Sequence, residues 1–145
     1  MRVRTKKLRE NAVLPTFGTP NSAGGDLRAC VDEKIGIAPG KTAVIPTGLA
    51  FEIPEGWFGA IYARSGLACK QGLRPANCVA VIDSDYRGEV MVVLRNDSSM
   101  PRIVNPGDRI AQMVLTPYLA VEYEEVPELD ETERGTGGFG STGTR

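Results

Sequence analysis

Histidine is absent from the 145 residues, which removes Ser-His-Asp and Cys-His nucleophile systems and imidazole-ligated zinc. Carboxylates, hydroxyls, arginines and backbone amides are left to do any chemistry. Arg64-Ser65-Gly66 stands where an apolar stretch gives way to a short helical one, so a guanidinium, a hydroxyl and backbone N–H groups converge. That is either a phosphate-binding turn or a helix cap beside a surface arginine, and the tripeptide by itself favours the cap. Ile82-Asp83-Ser84-Asp85-Tyr86-Arg87-Gly88 puts two acids and a tyrosine in the turn after an apolar strand. A general base beside an aromatic ring and an ordinary hairpin turn fit it about equally. Arg134 to Gly143 holds five glycines around Phe139, with Ser141 and Thr142 following. Its composition favours a flexible tail, but a lid whose ring stacks on a base while its donors wrap phosphates is written the same way. Ala23-Gly24-Gly25-Asp26-Leu27 and Gly107-Asp108-Arg109-Ile110-Ala111-Gln112 are weaker signals, each also readable as a loop entering a strand.

The elements that must position these groups are short. Met1 to Leu8 alternates, Thr42 to Ile53 is apolar and β-branched but broken at Pro46 and Gly48, and Trp57 to Ala63 is aromatic and apolar. Val79 to Asp83, Glu89 to Asn96 and Arg109 to Thr116 continue the series, with turn residues between them. Glycine and proline together make 27 of the 145 residues, well above the usual background of about 12%. Many short strands so punctuated predict an all-β sandwich or barrel in one domain. The one helix predicted is Ser65 to Gln71, capped by Ser65 and ended at Gly72.

After Val121 the chain changes character, because Glu122 to Glu133 carries seven acids and Pro127. Residues 1–121 hold 15 basic against 11 acidic side chains, a net of +4, whereas the whole chain is at −1. The excess is too modest for a nucleic-acid groove and suits a small polyanion. Division into a body (1–121), an acidic linker (122–133) and a glycine-rich arm (134–145) follows. Three cysteines, Cys30, Cys69 and Cys78, are odd in number and lack a CxxC spacing, so a reducing cytoplasm is expected. Met1 to Leu8 has no apolar core of a leader, and neither a membrane nor a nucleic acid is expected as a partner.

Taken in order, AGGDLRA at 23–29, ARSGLA at 63–68, VIDSDYRGE at 81–89, GDRIAQMVL at 107–115 and RGTGGFGSTG at 134–143 resemble the five motifs of the trimeric dUTPase family. The resemblance spans nearly the whole chain. It implies a distorted jelly-roll β-sandwich with one short helix and a C-terminal arm exchanged within a homotrimer, each site drawing on all three subunits. The implied reaction is hydrolysis of dUTP to dUMP and pyrophosphate by water attack on the α-phosphorus, with Mg2+ held mainly by the triphosphate. Such an enzyme keeps uracil out of DNA and supplies dUMP for thymidylate synthesis.

By the same resemblance, Asp83 orients and deprotonates the water and bonds the 3'-hydroxyl, Tyr86 excludes a 2'-hydroxyl, and Asp85 is structural. Arg64, Ser65 and Gly66 hold phosphates, with Ser65 stabilising the leaving pyrophosphate, and Gln112 contacts the α-phosphate or the water. Asp26 supports the metal through bound water rather than as a direct ligand. Uracil is read largely by the backbone before Asp83, including Val79 and Ala80, with Asn77 contributing its side chain. Arg134 reaches the γ-phosphate, Phe139 stacks on uracil, and Gly140, Ser141 and Thr142 close over the phosphates from the third subunit. One departure is Ala80, where the family usually has glycine, adding a methyl near the uracil edge. A dCTP deaminase shares this fold and phosphate chemistry, but IDSDY places the acid near the sugar instead of C4 of cytosine. A regulatory trimer is the reading from another class, and the complete motif set weighs against loss of catalysis.

Overall fold

The computed structural model describes residues 1–138, so Phe139, Gly140, Ser141 and Thr142 lie outside the described residues. Strands run in the order β1 (Arg4–Lys7), β2 (Gly25–Arg28), β3 (Ile35–Ile37), β4 (Thr42–Pro46), β5 (Leu49–Glu52) and β6 (Trp57–Tyr62). Helix α1 (Ser65–Gln71) follows, then β7 (Leu73–Pro75), β8 (Ala80–Ile82), β9 (Met91–Asn96), β10 (Arg102–Val104) and β11 (Arg109–Pro117). The larger sheets are β2-β11-β6-β8 and β4-β9-β7, flanked by the pairs β1-β5 and β10-β3, and every pairing is antiparallel. This is the expected jelly-roll sandwich. No helix among the described residues is long and apolar enough to cross a membrane.

Alternation builds the core. Along β9, Val92, Leu94 and Asn96 are buried while Met91, Val93 and Arg95 are not, the period of two that a half-buried strand requires. Leu27, Ile61 and Ile110 of one large sheet meet Ile45, Leu73 and Leu94 of the other in a single apolar cluster. Each fully buried side chain of this kind contributes about 1.5–3 kcal/mol relative to exposure. Among the described residues Asn96 is the one polar residue with no exposure; its side chain donates to the Ile37 and Met100 carbonyls and accepts from the Ser98 amide and hydroxyl, so nothing is left unpaired.

Two local details bear on the site. Strand β11 carries a β-bulge between Arg109 and Ala111 in its pairing with β2, leaving Ile110 without a partner. Residues three apart on an unbroken strand face opposite sides; the extra residue turns Arg109 to the same side as Gln112. Helix α1 spans the predicted residues and ends at Gly72 in the left-handed conformation (φ 65°), but its N-cap is Arg64, with no side-chain cap bond. Ser65 is the first helical residue, so its hydroxyl is not committed to capping.

Candidate active site

Pairing across the four-stranded sheet sets Asp26 opposite Gln112 and Gln112 opposite Tyr62, a row of three side chains on adjacent strands. Arg64, Ser65 and Gly66 follow β6 directly, and with this row they line a cleft of about 610 Å³ that also includes Gly18, Ser22, Gly24 and Arg109. Among the described residues Asp26 is its one acid, and it is nearly buried (9% exposed). One carboxylate oxygen accepts from Nε of Arg64 at 2.7 Å and the other from a terminal guanidinium nitrogen of Arg109 at 3.2 Å. Gln112 donates its amide N–H to the Ala63 carbonyl at 2.9 Å, which turns the amide oxygen toward Gly24. The cleft therefore carries two guanidiniums against one carboxylate, beside a free hydroxyl and an amide. Such a set attracts a small polyanion.

Asp83 stands elsewhere. Strand β8 places Ile82 opposite Gly59, so Asp83 comes level with Phe58, six residues and about 20 Å along the strand direction from Arg64. It lines a second cleft of about 590 Å³ with Ile53, Glu55, Ser84, Asp85, Arg87 and Tyr118, and none of the residues of the first cleft is among them. The turn behind it is firm: the Tyr86 amide donates to the Asp83 carbonyl, and Arg87 donates to the Ser84 carbonyl at 2.6 Å. Tyr86 is exposed, its hydroxyl donates to the Glu89 carbonyl at 3.1 Å, and its ring lies so close over Gly88 that a Cβ there would meet its Cζ at 2.6 Å. A tyrosine so pinned is a fixed wall.

Within one chain the predicted residues thus form two groups: Asp26, Arg64, Ser65, Gly66 and Gln112 in one cleft, and Asp83, with Tyr86 close by in the same turn, at another. Asn77 and Val79 are exposed just before β8. Ala80 is half-buried and packs with Ile82 against the apolar cluster, while Val81 between them faces out, so the added methyl is turned toward the core. Arg134 is exposed, its Nε donating to the Gly137 carbonyl in a local turn. Arg109 was not singled out from sequence, although its segment was. The signal missed is the bulge, which has no signature in residue type.

Among the described residues no group of three or more acids, cysteines or histidines is arranged to hold a metal ion. A lone carboxylate suits Mg2+ only when waters and phosphate oxygens supply the other ligands.

A family model described as dUTPase matches residues 10–143. The deoxyuridine 5'-triphosphate nucleotidohydrolase of Desulfitobacterium hafniense (strain DSM 10664 / DCB-2) is 55% identical over 131 residues, 90% of this chain and 87% of that protein. The enzyme of the same name from Hydrogenobaculum sp. (strain Y04AAS1) is 48% identical over 145 residues, the full length of both. Among solved structures, a variant of the Staphylococcus bacteriophage 80alpha dUTPase with dUpNHpp superposes with a TM-score of 0.89 at 28% identity, over 99% of each chain. A variant dUTPase from phage phi11 of S. aureus, described with a structural Mg(II) ion, superposes at 0.81 and 25% identity, over 90% of this chain and 100% of the other.

Proposed function

The chain belongs to the dUTPase family and hydrolyses dUTP, and we propose that it does so at sites built by three copies, because neither cleft of a single chain holds the whole catalytic set. The separation of Asp83 from the Arg64 and Gln112 cleft carries this reading. A water attacking the α-phosphorus needs a base on one side and charge stabilisation on the other within about 3 Å of the reacting atoms. In a closed trimer one copy supplies Asp83 and Tyr86 and its neighbour supplies Arg64, Ser65, Gly66 and Gln112. The arm, residues 134–145, comes from the third across the acidic linker.

Asp83 takes the proton from the water as the oxygen bonds to phosphorus. Gln112 holds the α-phosphate, and Ser65 and Arg64 meet the charge that grows on the departing pyrophosphate. Arg134 adds to that charge, while Phe139 covers the base. The backbone around Val79 and Ala80, with Asn77, reads uracil. The inward turn of the Ala80 methyl supports an open uracil edge despite the departure from glycine. Tyr86, held by Glu89 and Gly88, leaves no room for a ribose 2'-hydroxyl.

Bound with the triphosphate, Mg2+ neutralises phosphate charge. Asp26 is the residue here that would face its water shell, in keeping with a single carboxylate in the cleft. The test is pyrophosphate release from dUTP, dCTP, dTTP and UTP in parallel, with and without magnesium, for the wild type and Asp83→Asn. Release from dUTP alone, dependent on magnesium and abolished in the variant with nucleotide affinity retained, is expected. Substantial turnover by Asp83→Asn would remove Asp83 from the role of base.

A further inference from the structure

Tyr86 owes its pose to a residue outside both clefts. Its hydroxyl donates to the backbone carbonyl of Glu89 at 3.1 Å, and its ring lies over Gly88. That carbonyl is only as firm as Glu89 itself, and the Glu89 side chain is tied to another part of the fold. The carboxylate is 15% exposed; one oxygen accepts from the Gly48 amide at 2.8 Å, and the other faces the Arg9 guanidinium at 3.7 Å. Gly48 is buried at the corner between β4 and β5, in the left-handed region (φ 69°). A Cβ there would meet Ala12 Cβ and Cys30 Sγ, each at 2.7 Å, and the Gly48 carbonyl accepts from the Leu8 amide at 2.8 Å. Clamped on both sides, the corner holds its N–H in one place. The next residue, Val90, is buried, and its amide donates to the Leu49 carbonyl at 2.8 Å while its carbonyl accepts from the Thr47 hydroxyl at 2.6 Å.

The Gly48 corner, the Glu89 carboxylate, the Glu89 carbonyl and the Tyr86 phenol therefore act in series. Deleting the carboxylate strands a buried N–H, and the corner and the Glu89 backbone must shift to satisfy it. Tyr86 is exposed and outside the apolar cluster, so its ring follows the carbonyl. We infer that Glu89 is a positioning residue that sets the preference for deoxyribose over ribose, by holding Tyr86 where a 2'-hydroxyl does not fit. It touches no substrate and acts through the ring alone. The inference deepens the proposed site and rests on Tyr86 being its sugar wall. The ion pair with Arg9 is 3.7 Å long and Arg9 is 44% exposed, so it adds little. What Glu89 brings is an acceptor for the Gly48 amide, and a glutamine serves as well.

Steady-state pyrophosphate release by the full chain in magnesium, from dUTP and from UTP, tests this as the ratio of kcat/KM for UTP to that for dUTP. Glu89→Ala should raise the ratio about tenfold, the worth of one buried hydrogen bond, and Glu89→Gln should leave it within about twofold of wild type. Tyr86→Phe, which removes the hydroxyl at an exposed position and keeps the ring, should raise the ratio in the same direction, and it decides the matter if Glu89→Ala does not fold. A ratio unchanged in Glu89→Ala and Tyr86→Phe but raised in Tyr86→Ala overturns the inference and leaves the proposed sugar wall standing. A ratio unchanged in Tyr86→Ala as well overturns both. Equal loss of turnover on the two substrates in Glu89→Ala marks a merely structural glutamate and overturns the inference, as does a ratio in Glu89→Gln as high as that in Glu89→Ala.

Discussion

Gly24 has no side chain because Gln112 occupies the place one would take. A Cβ built on Gly24 falls onto Oε1 of Gln112 and lies 3.1 Å from its Cδ and 3.2 Å from its Cβ. Restoring ordinary contact of about 3.5 Å swings the amide by about 1 Å. That movement breaks the 2.9 Å bond from Gln112 to the Ala63 carbonyl. The obstructing atoms are the far end of a flexible, half-buried side chain, so the loss of stability in Gly24→Ala stays near the low end of the overpacking range, about 1 kcal/mol. Misplacing a positioning group by about 1 Å is worth about a hundredfold in rate. Gly24→Ala should therefore lower kcat for dUTP about a hundredfold while melting changes little. Gly36→Ala, whose Cβ would meet nothing within 4 Å, is the matched control and should behave as wild type. A Gly24→Ala enzyme turning over within about twofold of wild type would refute the positioning role of Gln112.

Truncation after Glu133 should abolish turnover and leave thermal melting unchanged, because none of the described residues it removes, 134–138, is buried or belongs to the apolar cluster; full activity of the truncated protein would remove the arm from the site. Asn96→Ala deletes four hydrogen bonds, including one to the Ile37 carbonyl, and should lower stability by about 2–4 kcal/mol. Urea titration reads that loss, and dUTP turnover at low temperature should survive it; an unshifted midpoint would contradict the buried network. Burial pushes the Cys30 thiol up, and its Sγ donates to Asn11 Oδ1 at 3.0 Å, whereas Cys69 and Cys78 are exposed. A thiol reagent counted by mass should add to those two in the native protein and reach Cys30 only on denaturation.

Those residues also mark how far the sequence could be read. Helix α1 was legible because Gly72 ends it and no neighbouring stretch shares its composition. Even there, hydroxyl preference at caps pointed to Ser65, while the structure makes Arg64 the cap. Strands β4, β5, β6, β9 and β11 were visible as apolar or β-branched runs. Strands β3, β7 and β10 have three residues each and β2 has four, too short for a period to emerge, and tertiary pairing alone defines them. The bulge at Ile110 left no trace in composition, so Arg109 went unnoticed beside Gln112. Segments bearing the chemistry were recognisable by type, but their division into two clefts is set by the pairing of β6 with β8 and β11, a long-range register that no local pattern encodes.

Assembly of each site from different copies is tested most directly by complementation. Asp83→Asn and Arg64→Gln should each be strongly impaired alone. Co-expressed in equal amounts and purified as mixed trimers, they should recover about a quarter of wild-type turnover per site, because half the copies bring an intact Asp83 and, independently, half bring an intact Arg64. A mixture no more active than its parents would place both residues of a working site in one chain and contradict the shared site.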